Sequence, residues 1–403
     1  MVTLHFDFKD VFRAGRLGFS PKKMWMQFVG LGVGLVLYTI FGYVAFLLSG
    51  WDIGEIWTSY RLWPFPLYAD LTWYSVILVA VGALLLLITN LLANTAVAKV
   101  TFEQLRGDEF YEIQEALRFV RRHWRVVLLS PLALLLFMAV LVIFCGLIPG
   151  AFLWIPFAGE WLTALAAIPL FAVFLFVVYL GIIFIVSLIM GPAIVATTES
   201  DTFDSIFELF SVVNDQPWRL VVYEVILAGI VWVAVYVLGA FVIGSLRLFS
   251  WAVTVWPFAA DKAEAIIARA MWYLPYCPAI ERLEWLPGVA RSIEAFGPTR
   301  YAASPGWSWE IAALLGGIAL YVVLLFVVSY GVAIASAGET LIYLVLYKKK
   351  DDRNLLERRD ERELPEEAGI PEKQEAPEER AAEGTVEETA EEGAGPEKPQ
   401  ESG

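Results

Sequence analysis

Residues 73–98 read WYSVILVAVGALLLLITNLLANTAVA, an unbroken run without one Asp, Glu, Lys or Arg. As a helix rising 1.5 Å per residue this run is ~39 Å long, more than the ~30 Å hydrocarbon core of a bilayer. A backbone in lipid must satisfy its own polar groups, which leaves a helix or a closed barrel. Barrel strands are about 10 residues long and alternate in polarity, and this run does neither. It therefore predicts a transmembrane helix. Five further regions meet the same test, at 27–48, 126–148, 162–190, 220–244 and 311–337, and of these only 220–244 includes a charge, Glu224. The whole chain of 403 residues is 59% hydrophobic, 15% aromatic and 18% charged, which excludes an ordinary water-soluble domain.

The net charge of −14 does not belong to the membrane body. Residues 351–403 carry 19 acids against 7 bases, so 12 of the 14 net negative charges lie in the tail. That tail is rich in Glu, Pro, Ala and Gly, cannot bury a core, and is expected to be disordered. Three parts follow: a segment 1–24, a six-helix membrane domain 25–350 and the acidic tail 351–403. Lys and Arg near the spans set orientation. Lys9, Arg13, Arg16, Lys22 and Lys23 precede the first span, and Lys99 through Arg125 follow the second. The loop 49–72 has only Arg61 and the loop 149–161 has no base. Both ends of the chain are thus expected on the cytoplasmic side of an inner membrane. Residues 191–218 are the discordant piece, with five acids and no base. The first span is too long for the h-region of a signal peptide and reads as a permanent anchor.

The segment 245–308 faces outward on this plan and is rich in Trp and Tyr, as is the loop 49–72. Its apolar run 249–260 is too short to span and predicts an interfacial or re-entrant piece. Between Asp261 and Leu274 the residues Ala263, Ile266, Ile267, Ala270, Met271 and Leu274 share one helical face, opposite Lys262 and Arg269. Two readings stand: a helix lying on the outer leaflet, or one packed on the outer ends of the protein's own spans.

Similar stretches recur after the second, fourth and sixth spans. Gly191-Pro-Ala193-Ile194 leads to Glu199 and Gly331-Val-Ala333-Ile334 leads to Glu339, eight positions in each case, while Ala96-Val97 precedes Glu103. Phe110, Ile113, Glu115, Val120 and Trp124-Arg125 align with Phe203, Ile206, Glu208, Val213 and Trp218-Arg219, given one inserted residue. The expected fold is therefore all-α: six transmembrane helices as three repeated hairpins, with cytoplasmic amphipathic elements at 99–124, 196–218 and 339–359.

The pattern of a small-residue exit from a span, an acid, an amphipathic helix and Trp-Arg leading into the next span resembles a bacterial membrane domain attached to some glycerophosphodiester phosphodiesterases, and its free-standing relatives. Gly191-Pro-Ala-Ile-Val through Trp218-Arg219 carry the resemblance, with a weaker copy from Ala96 to Trp124-Arg125, and 340–351 is similar to the closing segment of such proteins. It covers about residues 24–355 in architecture and some 60 of them specifically. Most proteins of that group have no assigned activity, so the resemblance implies a membrane protein without implying a reaction. The phosphodiesterases carry a barrel domain with His and metal-binding carboxylates, for which this sequence has no room outside loops and tail.

Glu224 is the one ionisable residue inside a predicted span, which makes it a candidate polar membrane site with Asn90 and Asn94, the two amides one helical turn apart. It also lies five residues beyond Arg219, where interfacial water or a base would serve it. Glu103, Glu199 and Glu339 recur at equivalent places and either ring an opening or cap helices, the second being favoured by Thr197, Thr198 and Ser200 beside Glu199. Arg121, Arg122 and Arg125 around His123 are a candidate anionic-lipid contact, and Glu112 and Glu115 on the same helix are the alternative partners. Gly30, Gly32 and Gly34 fit close helix packing. With two Cys, two His, no Gly-x-Ser-x-Gly elbow and no phosphate-cradling loop, no catalytic, metal or cofactor constellation is expected, and no nucleic-acid partner. The leading reading is a non-enzymatic envelope scaffold or lipid-facing accessory protein, whose partners are the bilayer and any protein docked on the tail or on 245–308. A transporter or channel with a polar site near Glu224 is the alternative.

Overall fold

The computed structural model describes residues 4–64, 70–274 and 306–357; Cys277, much of the segment 245–308 and the tail beyond Glu357 fall outside them. Among the described residues all regular structure is helical. Two short helices, α1 (Phe8–Val11) and α2 (Ala14–Gly18), precede α3 (Pro21–Leu48). Then come α4 (Ile53–Tyr60), α5 (Trp73–Arg106) and α6 (Ile113–Val142), which passes through a π turn (Ile143–Leu147) into α7 (Ile148–Phe152). The rest are α8 (Ala158–Leu165), α9 (Ala167–Thr198), α10 (Thr202–Asp215), α11 (Pro217–Thr254), α12 (Ala260–Trp272) and α13 (Trp307–Asp351). Six of them, α3, α5, α6 with α7, α9, α11 and α13, are long and apolar enough to cross a membrane. Those six helices contain five of the six predicted spans whole; the sixth, 162–190, starts in α8 and crosses the turn at Ala166 before α9.

The spanning helices pack as three antiparallel pairs, α3 with α5, α6 with α9 and α11 with α13, and α5, α9 and α13 also touch one another. Apolar side chains gain little by leaving lipid for a neighbouring helix, so close approach depends on small residues. A Cβ on Gly30 would strike Ala93, and one on Gly34 would strike Thr89 and Leu86, so these glycines seat α3 on α5. Gly32 turns instead toward Leu325 of α13. Gly331 and Gly338 do the same for α13 on α11, against Val235 and Leu227. The exposed face is apolar throughout, with Val36, Leu136, Phe171, Val225 and Leu315 among its residues.

The two ends of the bundle differ. One carries Lys23, Lys99, Arg121 and Lys348 and is called the charged end; the other carries Trp57, Trp73 and Trp272 and is called the aromatic end. At ~67 Å, α13 is more than twice the thickness of a hydrocarbon core. Its last third is protein-covered: every residue from Ile334 to Leu346 except Ile334's neighbour Ala335 is buried. Around it gather α2, α3, α5, α9, α10 and α11, forming the largest apolar core at the charged end. Gly18 is essential to that arrangement, since a Cβ there would lie 2.5 Å from the Ile334 Cα atom.

Three expectations are corrected. Of the apolar run 249–260, residues 249–254 are not a re-entrant piece, because α11 runs unbroken through them to Thr254; no Gly or Pro interrupts it between Ser245 and Val255. Residues 99–124 and 339–359 do not form separate elements. Lys99–Arg106 continue α5 until Gly107 turns left-handed at φ 112°, after which Glu112 and Glu115 form a capping box that starts α6. Residues 339–351 simply complete α13, and only α10 stands as a helix between pairs. Finally, α12 packs on α13, with Ala270 and Tyr273 against Gly316 and Gly317, which decides between the two readings of that helix.

Candidate functional site

The acids singled out by spacing form two sites. Lys99, 4% exposed, places its ammonium 2.8 Å from Glu103 Oε1 and 2.8 Å from Glu199 Oε1. The pair Lys99 and Glu103 is one helical turn apart on α5, whereas Glu199 comes from the end of α9. Arg106 adds a second base to Glu103 at 3.3 Å, and the Phe119 and Phe102 rings lie 4.7 and 5.4 Å from the ammonium. Glu103 sits in the last turn of α5 and Glu199 ends α9 in a left-handed conformation, φ 53°. Neither caps a helix N-terminus, and no three-acid ring forms. Glu103 and Glu339 lie inside α5 and α13, while Glu199 is the C-terminal cap of α9 and leaves the N-cap of α10 to Asp201. Thr197 and Thr198 instead bond back to the carbonyls of Ala193 and Ile194. Beside the cluster, burial pushes the Tyr111 phenol far above its ordinary range, helped by Glu103, Glu115, Glu199 and Asp108.

Glu339, the third of the set, meets Glu224 instead. Their carboxyl groups come within hydrogen-bonding reach across the seam of α11 and α13. Glu339 is 6% exposed, and its Oε2 has no hydrogen-bond partner. Gly338 allows the contact, because Leu227 of α11, one turn past Glu224, occupies the space a Cβ would need. Sequence spacing gave no signal for this pairing of residues more than a hundred positions apart.

Asn90 and Asn94 do not join Glu224. Asn90 Oδ1 accepts from Gln27 Nε2 at 2.7 Å, on the side of α5 that faces α3. There a cleft of about 460 Å³ lies among α3, α5 and α13. Leu31, Leu35, Leu86 and Leu325 line it, with Asn90 toward the charged end and Trp63 and Tyr321 toward the aromatic end. The Asn94 carbonyl oxygen of the backbone accepts from Ser336 at 2.9 Å, and its side-chain Oδ1 is buried without a partner.

Arg118, Arg121, Arg122 and Arg125 are all exposed on the first turns of α6, and no ion pair holds any of them among the described residues. Glu115 is engaged at the amide of Glu112, and His123 stacks on Phe119 at 4.2 Å while Nδ1 meets the Phe119 carbonyl. The alternative pairing with Glu112 and Glu115 is therefore not formed. Exposed aromatic residues share this rim: Phe110, Trp124, Phe203, Phe207 and Trp218.

At the aromatic end, Glu310 accepts from Arg269 Nη2 and from Tyr273 Oη, both at 2.6 Å. Arg269 and Arg61 each lie 4.1 Å from the Trp272 ring centre. Burial, then Arg269, lowers the Arg61 guanidinium from its ordinary range, and burial, then Glu310, pushes the Tyr273 phenol up to about 12. Sequence reading missed this cluster, as it missed Lys23, which is wholly buried and donates to Gln104 Oε1 at 2.8 Å and the Leu17 carbonyl at 2.9 Å. A lysine beside a span looks like a solvated flank; only its packing against α2 and α5 shows otherwise.

Among the described residues no three His, Cys, Asp or Glu side chains are grouped to hold a metal ion. Compared with protein-family models, with curated proteins and with solved structures, the chain gives no match. Fold and composition define its class, an all-helical protein with the architecture of a multi-pass membrane protein.

Proposed function

We propose that the chain is a non-enzymatic membrane protein of three repeated hairpins, lying in an inner (cytoplasmic) membrane with both ends on the cytoplasmic side, and acting as a lipid-facing scaffold or accessory component of the envelope. The observation that carries this reading is the rim of Arg118, Arg121, Arg122 and Arg125, exposed, without ion-pair partners among the described residues, and interleaved with exposed Trp124, Phe110 and Phe207. Aromatic side chains at that level suit the interface, and cations beside them suit lipid phosphates. The repeat is supported by the burial of Ala96-Val97, Ala193-Ile194 and Ala333-Ile334, each at 1% exposure or less, on the three helices that touch one another. The excess of Lys and Arg at the charged end supports its cytoplasmic orientation.

The test is the lipid retained by protein purified from nanodiscs of equal phosphatidylglycerol and phosphatidylcholine. Each basic residue near an anionic surface contributes ~1 kcal/mol, before screening by salt. The wild type should hold phosphatidylglycerol in several-fold excess, and Arg121→Gln/Arg122→Gln/Arg125→Gln should hold the two nearly equally. No enrichment in the wild type at low salt would end the proposal.

The second reading is a transporter or channel, and the Glu224–Glu339 pair favours it. An ionised carboxylate only accepts hydrogen bonds, so two carboxyls in a buried seam need a proton or a cation between them. On this reading Glu224→Gln and Glu339→Gln abolish proton or monovalent-cation flux in reconstituted vesicles. Wild-type vesicles no leakier than empty ones exclude it.

A further inference from the structure

We propose that the cleft among α3, α5 and α13 is a binding site for a single acyl chain, whose carbonyl end is held by the side-chain amide of Asn90. The cleft is separate from the arginine rim on α6, so the two proposals stand or fall apart. Its volume, about 460 Å³, falls within the ~300–1,000 Å³ of ligand sites, and its walls are almost wholly aliphatic. Leu87, Leu324 and Val328 line it and are themselves 36–46% exposed on the membrane-facing surface, so the cleft opens sideways, where lipid chains lie. A route for water or ions would need polar groups along its length. Here the polar side chains are Asn90 at one end and, at the other, Tyr321 beside Trp63.

Asn90 is set as a donor toward this space. Gln27, with no exposed surface, donates to Asn90 Oδ1 at 2.7 Å and fixes the amide. The Asn90 Nδ2 hydrogens have no hydrogen-bond partner among the described residues, and an amide that faces an apolar cleft without one is costly. An ester or carboxyl carbonyl of a lipid supplies the missing acceptor. From Asn90 to Ala83 the wall rises ~10 Å along α5 toward the aromatic end, so the chain points toward Trp63, whose ring lies 6.5 Å from Tyr321 and 5.4 Å from Tyr38 and closes that end. The occupant thus has its polar group nearer the charged end, as a lipid of that leaflet has.

The experiment uses the full chain in detergent with two probes carrying the same diazirine on an acyl chain, a free fatty acid and a phosphatidylglycerol. After irradiation, labelled peptides are mapped by mass spectrometry. Label should concentrate on residues 31–35, 83–90 and 321–328, and the probe that labels identifies a free acid or a membrane lipid as the source. Ala83→Trp, on the exposed lip, should remove most of it. Asn90→Leu should weaken retention about fivefold, the worth of one hydrogen bond of ~1 kcal/mol. Excess unlabelled fatty acid or phosphatidylglycerol should compete with its own probe. Label spread evenly onto the lipid-facing residues of α6, such as Leu132 and Leu136, or unchanged by both variants and by competitor, overturns the site. Loss with Ala83→Trp but none with Asn90→Leu overturns the role of the amide.

Discussion

Replacing Lys99 by Met tests whether the charged end is locked by one cation. Lys99 is 4% exposed and holds Glu103 and Glu199 at 2.8 Å each, so the substitution keeps the aliphatic stem while leaving two carboxylates without their shared base. Removing one partner of a buried ion pair costs ~3–5 kcal/mol. Part of that is recovered here, because Glu103 keeps Arg106 at 3.3 Å and the Glu199 side chain is 41% exposed. The expected loss is ~2–3 kcal/mol. Spread over a folded body of roughly 350 residues at ~2.1 cal/mol/K per residue, this lowers Tm by ~3–4 °C. Thermal unfolding in a fixed detergent, followed by circular dichroism, measures it. Adding Glu103→Gln removes one of the stranded charges, so the double variant should lie above the sum of the two singles by ~1–2 kcal/mol. A Lys99→Met protein within 1 °C of the wild type, or strict additivity with Glu103→Gln, would refute the lock.

Gly18→Ala should destabilise more than Gly338→Ala, by ~1–3 kcal/mol in Tm-derived stability, because the first meets the Ile334 backbone and the second meets only the Leu227 side chain; equal Tm losses would contradict this. The raised Tyr273 phenol keeps its proton longer in the folded state than in the unfolded one, so its contribution is full below pH ~10 and is lost as pH rises through about 12. Alkaline unfolding of the wild type should therefore be steeper between pH 10 and 12 than that of Tyr273→Phe, read by the same melts. On the proposed orientation, a reporter fused after Arg353 should be active on the cytoplasmic side, and one inserted between residues 277 and 300 on the opposite side; matching activities at both places would reverse the plan.

The six spans were legible because each is a long apolar run with no charge or, at 220–244, the single Glu224, and lipid imposes that composition whatever the helix packs against. Helix ends were not, because hydropathy marks where a chain leaves lipid, while helix continuity depends on breakers. Lys99, Glu103 and Arg106 ended the predicted span at 98, yet they are good helix formers spaced to pair along one face, and α5 stops only at Gly107. The recurrence of Glu103, Glu199 and Glu339 picked out three acids that the structure divides between two clusters. Their partners stayed hidden, since nothing in a single sequence tells which acid will find a lysine from its own helix and which will find another acid from α11. Gly30 and Gly34 were legible as packing residues and do seat α3 on α5, though Gly32 serves α13.

The contrast between the two ends follows from what each helix pair has available to hold it. In the middle of the bundle contacts depend on glycines and alanines, which give dispersion and little else. At the charged end, water is near enough for ions to form, and tethers run between helices far apart in sequence: Lys99 to Glu199, Lys350 to Glu208 at 3.0 Å, and Lys23 to Gln104. These join α5 to α9, α13 to α10 and α3 to α5 just where the last third of α13 is enclosed. The Glu224–Glu339 seam lies within that enclosed region, while the cleft among α3, α5 and α13 lies beyond it toward the aromatic end. An ion-tethered charged end and, beyond it, a cleft walled by leucines thus follow from the same sequence asymmetry, charges other than Glu224 placed where the spans run out.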